Sequence, residues 1–399
     1  MSCPGSKPDA GINHKEFGVT SEGVHVFLET ALVDAMGIDP RVDPFTVKLT
    51  GGPDGDVAGN AMLILFRDCE RARVVGVADG SGVAEDPDGL DRDELARLVH
   101  EALPIVAFAP DKLGPRGALE AASTPEGAAR RDSMHNRVKA DVFVPAGGRP
   151  ATINANNYAA FLDDDGAPSS PIVVEGANLF VTPDARQLLF EHGGVRIVKD
   201  SSANKCGVIC SSYEILSAHL MDRPTFEARK PQIVAEILIK LRALAKLEAD
   251  LLFREHASFR GALPEFSSRI SDAINAVTDA VAEKLDASGA ADDADALFAT
   301  LAPEHLPETL ADLAVAKKHD LPAGYVTACV ASFVASRLVY AEGLAYVEAL
   351  GPERLADVAL HYVKAQSDVQ AALAAVNAAD DVDDLTKARV SALLRPRLL

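Results

Sequence analysis

The residues best suited to chemistry form a string of glycines, Gly51, Gly52, Gly55 and Gly59, between an apolar run that begins at Phe45 and a helical pattern that begins near Asp56. Lacking Cβ atoms, such a turn lets backbone N–H groups approach a diphosphate, and the N-terminus of the following helix adds its dipole and unpaired donors. The spacing Gly52-x-x-Gly55-x-x-Ala58 is one residue longer in its first interval than the dinucleotide fingerprint, and taken alone a plain turn accounts for it equally well. The context favours a nucleotide: a strand before, a helix after, and an acid, Asp79, at the end of the next apolar run (Arg73–Asp79), twenty residues beyond Gly59. A carboxylate there accepts hydrogen bonds from an adenosine ribose and repels the extra phosphate of NADP. The cofactor read from these residues is therefore NAD.

Positioning such a turn takes a sheet. Beyond the strands ending near Thr50 and at Asp79, three short β-branched runs, Asp141–Val144, Pro171–Val174 and Val195–Val198, have the character of buried parallel strands. Helical spacing runs from Thr20 to Met36, where Thr20 or Ser21 is the expected cap. It recurs through Met62–Phe66 and Leu95–Ala102, and Thr182-Pro183-Asp184 is a helix start with Gly193 just past its end. Residues 104–139, punctuated by Pro110, Gly114, Pro115 and Gly117, read as a surface excursion whose Arg130-Arg131 pair faces solvent. Strands alternating with helices predict an α/β fold with a Rossmann-type, doubly wound, mainly parallel sheet and the ligand at the carboxyl ends of the strands. The loops at those ends carry unusual chemistry: Pro145–Arg149, Glu175–Asn178 and Ser201–Lys205. From about Tyr213 the pattern becomes helix after helix. The expected division is an NAD-binding domain over residues 1–215 and an all-α domain over 216–399.

With 399 residues, 48% of them hydrophobic, the chain can bury two cores. Asp and Glu total 59 against 39 Lys and Arg, a net charge of −20, which repels nucleic acid and anionic membranes and leaves phosphate binding to local backbone donors. Five scattered cysteines, Cys3, Cys69, Cys206, Cys210 and Cys329, suit a reducing compartment and no disulfide framework. Cys206 and Cys210 lack a second pair, so no metal site is expected. The apolar run Ala328–Tyr340 is too short for a bilayer, and the N-terminus, with Lys7, Asp9, His14 and Lys15, has no signal-peptide core. A cytoplasmic or mitochondrial protein is expected.

Five segments in order, TGGPDGDVAGN (50–60), ADGSG (78–82), DVFVPAGGRPATI (141–153), VVEGANLFVTPDA (173–185) and KDSSANKCGVICSS (199–212), resemble the large NAD-dependent glutamate dehydrogenases, specifically their C-terminal portion. The likeness extends through the helical tail. It implies oxidative deamination of L-glutamate to 2-oxoglutarate and ammonia with hydride passing to NAD, and a homo-oligomer. By the resemblance, Thr20 lies near the nicotinamide carboxamide, and Gly52, Gly55, Asp56 and Val57 line the diphosphate. Asp79 takes the ribose, Ala146 and Gly147 lie beside the nicotinamide ribose, and Asn178 meets the nicotinamide. Asn204 helps close the pocket, and Ser211 holds the substrate side-chain carboxylate.

The chain departs from the family pattern in three places. A second glycine is missing beside Gly11, Cys206 stands where a glycine is usual and would narrow the pocket, and no lysine lies in the family's catalytic motif. Lys7, Lys15 and Lys205 are given no catalytic role. The expectation is that the catalytic residues lie in an N-terminal substrate domain absent from this chain, which would then bind NAD but turn over glutamate poorly by itself. Two alternatives stand beside it, a non-catalytic NAD-binding or regulatory subunit and another amino-acid dehydrogenase. Ser211 argues against an apolar substrate for the second.

Overall fold

The structure, a computed structural model, describes residues 11–287 and 291–394, apart from the side chains of 291–293. The loop composition read in residues 1–10, with Cys3 and Lys7, lies outside the described residues. The chain divides into two compact units, Met1–Ser267 and Ser268–Leu399.

The first unit holds, in order, α1 (His14–Phe17), α2 (Val19–Met36), β1 (Phe45–Thr50), α3 (Asp56–Asp68), β2 (Ala72–Ala78), β3 (Gly82–Glu85) and α4 (Arg92–His100). There follow β4 (Ala118–Ala121), α5 (Pro125–Arg137), β5 (Val142–Pro145), β6 (Ile172–Val174), α6 (Pro183–Gly193), β7 (Arg196–Val198), α7 (Asp200–Ala203), α8 (Cys206–Leu220) and α9 (Arg223–Phe259). Their strands make one sheet of order β4-β3-β2-β1-β5-β6-β7. β2, β1, β5, β6 and β7 are parallel neighbours, and β3 and β4 add an antiparallel edge beside β2. This is the expected mainly parallel α/β sheet followed by helices. The parallel strands are short and almost wholly buried because helices cover both faces.

Residues 104–139 differ from the surface excursion expected of them. They supply the edge strand β4 and helix α5, whose Met134 is fully buried and lies against Gly76 of β2, where an added Cβ would come within 3.1 Å of its sulfur. Arg130 and Arg137 of α5 both pair with the buried carboxylate of Glu85, and Arg131 reaches the carbonyl of Gly80 at 3.3 Å. Neither Thr20 nor Ser21 caps α2. The helix starts from Gly18 at φ +64°, and the Ser21 hydroxyl donates instead to the Val57 carbonyl at 2.9 Å. Thr182 does cap α6, accepting from the Ala185 N–H, and Gly194 ends that helix at φ +60°.

Lys48 is a charged residue type at the centre of β1 with no exposed surface. Its Nζ donates to the carbonyls of His135 and Val138 and to Ser169 Oγ, each at 2.7 Å, so it serves the unpaired carbonyls that end α5. Burial pushes the amine down to about 6, yet its three acceptors match the three N–H bonds of the ammonium form.

α10 (Leu263–Ala287) leads into the second unit, which continues with α11 (Ala291–His305), α12 (Glu308–Ala316), α13 (Tyr325–Glu342), α14 (Leu344–Glu348), α15 (Pro352–Ala378) and α16 (Asp384–Leu394). Phe298, Leu301, Leu310, Val330, Val334, Leu338 and Val363 fill its core. Among the described residues no helix is long and apolar enough to cross a membrane.

Candidate functional site

The candidate residues follow directly on strand ends. Gly51 continues from β1 at φ +102°, a conformation that favours glycine, and its N–H donates to the Ala78 carbonyl of β2 at 2.8 Å. At Gly52 an added Cβ would lie 2.4 Å from Asp79 Oδ2, and at Gly147 it would lie 2.9 Å from the Gly51 Cα. These contacts are why glycine stands at those positions: the turn after β1 is pressed against the ends of β2 and β5. Gly55 precedes α3 with no side chain over the first N–H groups of the helix, which leaves those donors to a ligand. Asp56 is exposed and Val57 half-buried at that helix start.

Asp79 is held from both sides. Its Oδ1 accepts the N–H of Ser81 (2.7 Å) and of Gly82 (3.2 Å) and the Ser81 hydroxyl (2.5 Å). Among the described residues its Oδ2 accepts only the Ile105 N–H, at 2.7 Å, which leaves that oxygen with capacity for a further donor. The carboxylate is thus fixed in place by its neighbours.

A second group lies farther along the strand ends. Asn204 Nδ2 donates to Asn178 Oδ1 at 2.7 Å and to the Gly176 carbonyl at 3.1 Å. An added Cβ at Gly176 would meet Val57 Cγ1 at 2.8 Å and the Ala146 Cα at 3.5 Å, so the α3 start, the β5 end and the β6 end converge there. On α8, Gly207 faces Thr20, whose Oγ1 would lie 3.0 Å from an added Cβ, and Ser211, one turn on, donates to the Gly207 carbonyl at 3.3 Å. The candidate residues therefore come from the loops at the strand ends, from the first turns of α2 and α3, and from α8.

Cys206 does not narrow this cleft. Its side chain is buried and turned toward α2, where an added Cβ on Gly23 would come within 2.7 Å of its sulfur, and its nearest acceptor is the Leu241 carbonyl of α9 at 3.8 Å. Burial pushes the thiol up to about 12 and leaves it unreactive.

The structure adds a network that the sequence reading did not contain. Glu175, at the end of β6, is fully buried and pairs with Arg186 of α6. Arg186 also meets Asp200 Oδ1 at 3.1 Å, and the Asp200 N–H donates to Glu175 Oε2 at 3.0 Å. Asp200 Oδ2 in turn takes the N–H of Leu179, a non-glycine residue at φ +59° beside Asn178. Such backbone strain persists only where its surroundings impose it, and here the imposed segment carries a candidate residue. Burial pushes the Glu175 carboxyl up to about 7 against the opposing pull of Arg186. Lys15, given no role from sequence, donates to the Asp54 carbonyl at 2.8 Å and so sets a cation at the glycine turn.

Residues 11–257 match the sequence pattern of the Glutamate/Leucine/Phenylalanine/Valine dehydrogenase family. The chain belongs to this family. Among similar proteins, the probable NAD-specific glutamate dehydrogenase of Schizosaccharomyces pombe is 34% identical over 84% of this chain and 32% of its own length. Glutamate dehydrogenase 2 of Dictyostelium discoideum is 32% identical over 84% of this chain and 33% of its own. Of solved structures, Plasmodium falciparum glutamate dehydrogenase 2 is 18% identical with a TM-score of 0.45, covering 63% of this chain and 49% of that one. The chain spans about a third of the length of those first two relatives. One expectation is corrected by these matches. The expectation of a C-terminal portion lacking its substrate domain is not supported, since the family pattern covers residues 11–257 and the alignments with relatives run through 84% of the chain. This dehydrogenase family thus accounts for most of the sequence. The inactivity deduced from a missing domain falls with that expectation.

Proposed function

We propose that this family member is an NAD-dependent glutamate dehydrogenase, with NAD lying along the carboxyl edge of β2, β1, β5, β6 and β7. The observation that carries the reading is the contact between the glycine turn and Asp79: an added Cβ at Gly52 would fill the space, 2.4 Å from Asp79 Oδ2, through which a dinucleotide backbone must pass. That cradle, with the uncovered N–H groups of α3, fits a diphosphate, and the fixed carboxylate fits a ribose diol. In this reading residues 1–215 form the NAD-binding domain.

Gly52, Gly55, Asp56 and Val57 hold the diphosphate through backbone N–H groups, and Asp79 orients the adenosine ribose. Ala146 and Gly147 flank the second ribose. Asn178, aligned by Asn204, and Thr20 orient the nicotinamide, and Ser211 offers its hydroxyl to the distal carboxylate of L-glutamate. NAD, when bound, accepts the hydride from the substrate α-carbon. Water then replaces the imine nitrogen, so that L-glutamate and water yield 2-oxoglutarate and ammonium, with one proton released. A homo-oligomer goes with this reading.

Calorimetric titration of the purified chain with NAD and NADP, with parallel assay of glutamate-dependent NADH formation, tests it. Tight NAD binding, weaker NADP binding, at least a tenfold loss in Asp79→Ala and abolition in Gly52→Val are expected. Equal NAD affinity in wild type and Gly52→Val refutes the site. Turnover of leucine in preference to glutamate, or no loss of glutamate selectivity in Ser211→Ala, refutes the substrate.

A further inference from the structure

Where α2 packs against α3, three side chains of metal-ligating type converge, with Asp68 beside them. His25 and Glu29 stand one turn apart on α2, and Asp68 and Cys69 are consecutive at the end of α3. The ligand atoms of His25, Glu29 and Cys69 all lie within 4.8 Å of one another. His25 is 3% exposed, and its Nε2 is fully buried without a hydrogen-bond partner, which is costly for an imidazole nitrogen. That nitrogen points at Asp68 Oδ2, 3.4 Å away, and at Glu29 Oε1, 3.6 Å away.

We propose that this cluster is a zinc site, with His25 Nε2, Glu29 Oε1 and Cys69 Sγ as its protein ligands and the fourth position left to water. Zinc–nitrogen and zinc–oxygen bonds of about 2.0–2.2 Å make tetrahedral edges of about 3.3–3.6 Å, which the 3.6 Å from His25 Nε2 to Glu29 Oε1 matches. A mixed imidazole, thiolate and carboxylate set suits zinc, where an all-oxygen set would suit calcium or magnesium.

Arg242 of α9 reaches Glu22, Asp68 Oδ2 (3.1 Å) and Glu29 Oε2 (3.4 Å), and Arg67 pairs with Glu22, with Asp68 Oδ1 and, at 2.8 Å, with Asp68 Oδ2, so the guanidiniums hold Asp68 beside the cluster. The Glu29 oxygen nearest His25, Oε1, is the one that Arg242 does not take, which leaves it to the metal. Zinc binding displaces the thiol proton of Cys69, and the zinc–sulfur bond forms from the thiolate with no change of oxidation state. Its place, joining α2 to the end of α3 remote from the glycine turn, makes it a structural clip independent of the NAD reading.

Chelator-treated full-length chain is titrated with ZnCl2 by calorimetry in two buffers, and with CoCl2 by absorbance. The expected result is one zinc at this site, at least one proton released per zinc near neutral pH, a rise in Tm that saturates at one equivalent, and a thiolate-to-cobalt charge-transfer band. Cys69→Ser removes the band and Cys206→Ser keeps it, while His25→Gln and Glu29→Gln each weaken zinc at least tenfold. Absence of stoichiometric uptake, or a cobalt band that survives Cys69→Ser, overturns the proposal. Should Cys69→Ser fail to fold by circular dichroism, an unchanged zinc affinity in folded His25→Gln overturns it equally.

Discussion

Glu175 shows how much of the candidate cleft depends on single buried groups. Burial holds its carboxyl near 7 in the folded protein, against an ordinary value of 4.5, with Arg186 opposing the shift. Between those pH values the folded state keeps a proton that the unfolded chain has released. Stability from this group is therefore fully present below about 4.5 and is lost as pH rises through about 7, a change on the order of 3 kcal/mol. Urea unfolding of wild type and Glu175→Gln from pH 5 to pH 8 should show a decline with pH in the wild type that the variant flattens. Identical slopes would remove Glu175 from this role. Asp79 and the glycines were legible in the sequence because their types and spacing carry the chemistry locally. The Glu175–Arg186–Asp200 network was not, since three separate segments supply it and only the order β5-β6-β7 brings them together. His25 and Cys69 were hidden for the same reason, and so was Lys48, whose acceptors come from the distant end of α5.

At the scale of elements, the approach of α3 to the glycine turn sets the height of the cradle. An added Cβ at Gly59, in the second turn of α3, would come within 2.3 Å of the Pro53 carbonyl and 3.3 Å of Val99 Cγ1 on α4. The first of these is backbone of the turn itself and cannot rotate away, so relief requires the helix or the turn to move. Gly59→Ala should therefore cost about 1–3 kcal/mol in urea unfolding and weaken NAD binding, despite the higher helix propensity of alanine. Gly80→Ala, with nothing within 4 Å of its added Cβ, is the control and should stay within about 0.5 kcal/mol of wild type. Equal stability of the two variants would mean that the turn is not pressed against α3. The parallel strands were read correctly from short β-branched runs bounded by turn residues. The antiparallel edge was missed because β4 is a partly exposed Ala-Leu-Glu-Ala segment among prolines and glycines, held by its ladder to β3 and not by its own composition.

For the whole molecule, the division into Met1–Ser267 and Ser268–Leu399 has a thermodynamic consequence, because all the proposed NAD-contacting residues fall in the first unit. A ligand that binds only a folded cleft stabilises that fold by RT ln(1 + [L]/Kd), about 2.7 kcal/mol at a hundredfold excess over Kd. For a unit of this size each kcal/mol moves Tm by about 2–4 °C, which gives a shift of about 5–10 °C. The net charge of −20 opposes an anionic ligand at long range, so the gain must come from the backbone donors at the turn. Calorimetric scans with saturating NAD should therefore raise the transition of the first unit and leave that of the second in place, with no shift in Gly52→Val. Equal NAD-induced shifts in both transitions would show that the stabilisation is not confined to the unit that holds the cradle. A shift that persists in Gly52→Val would place the nucleotide somewhere other than the turn after β1.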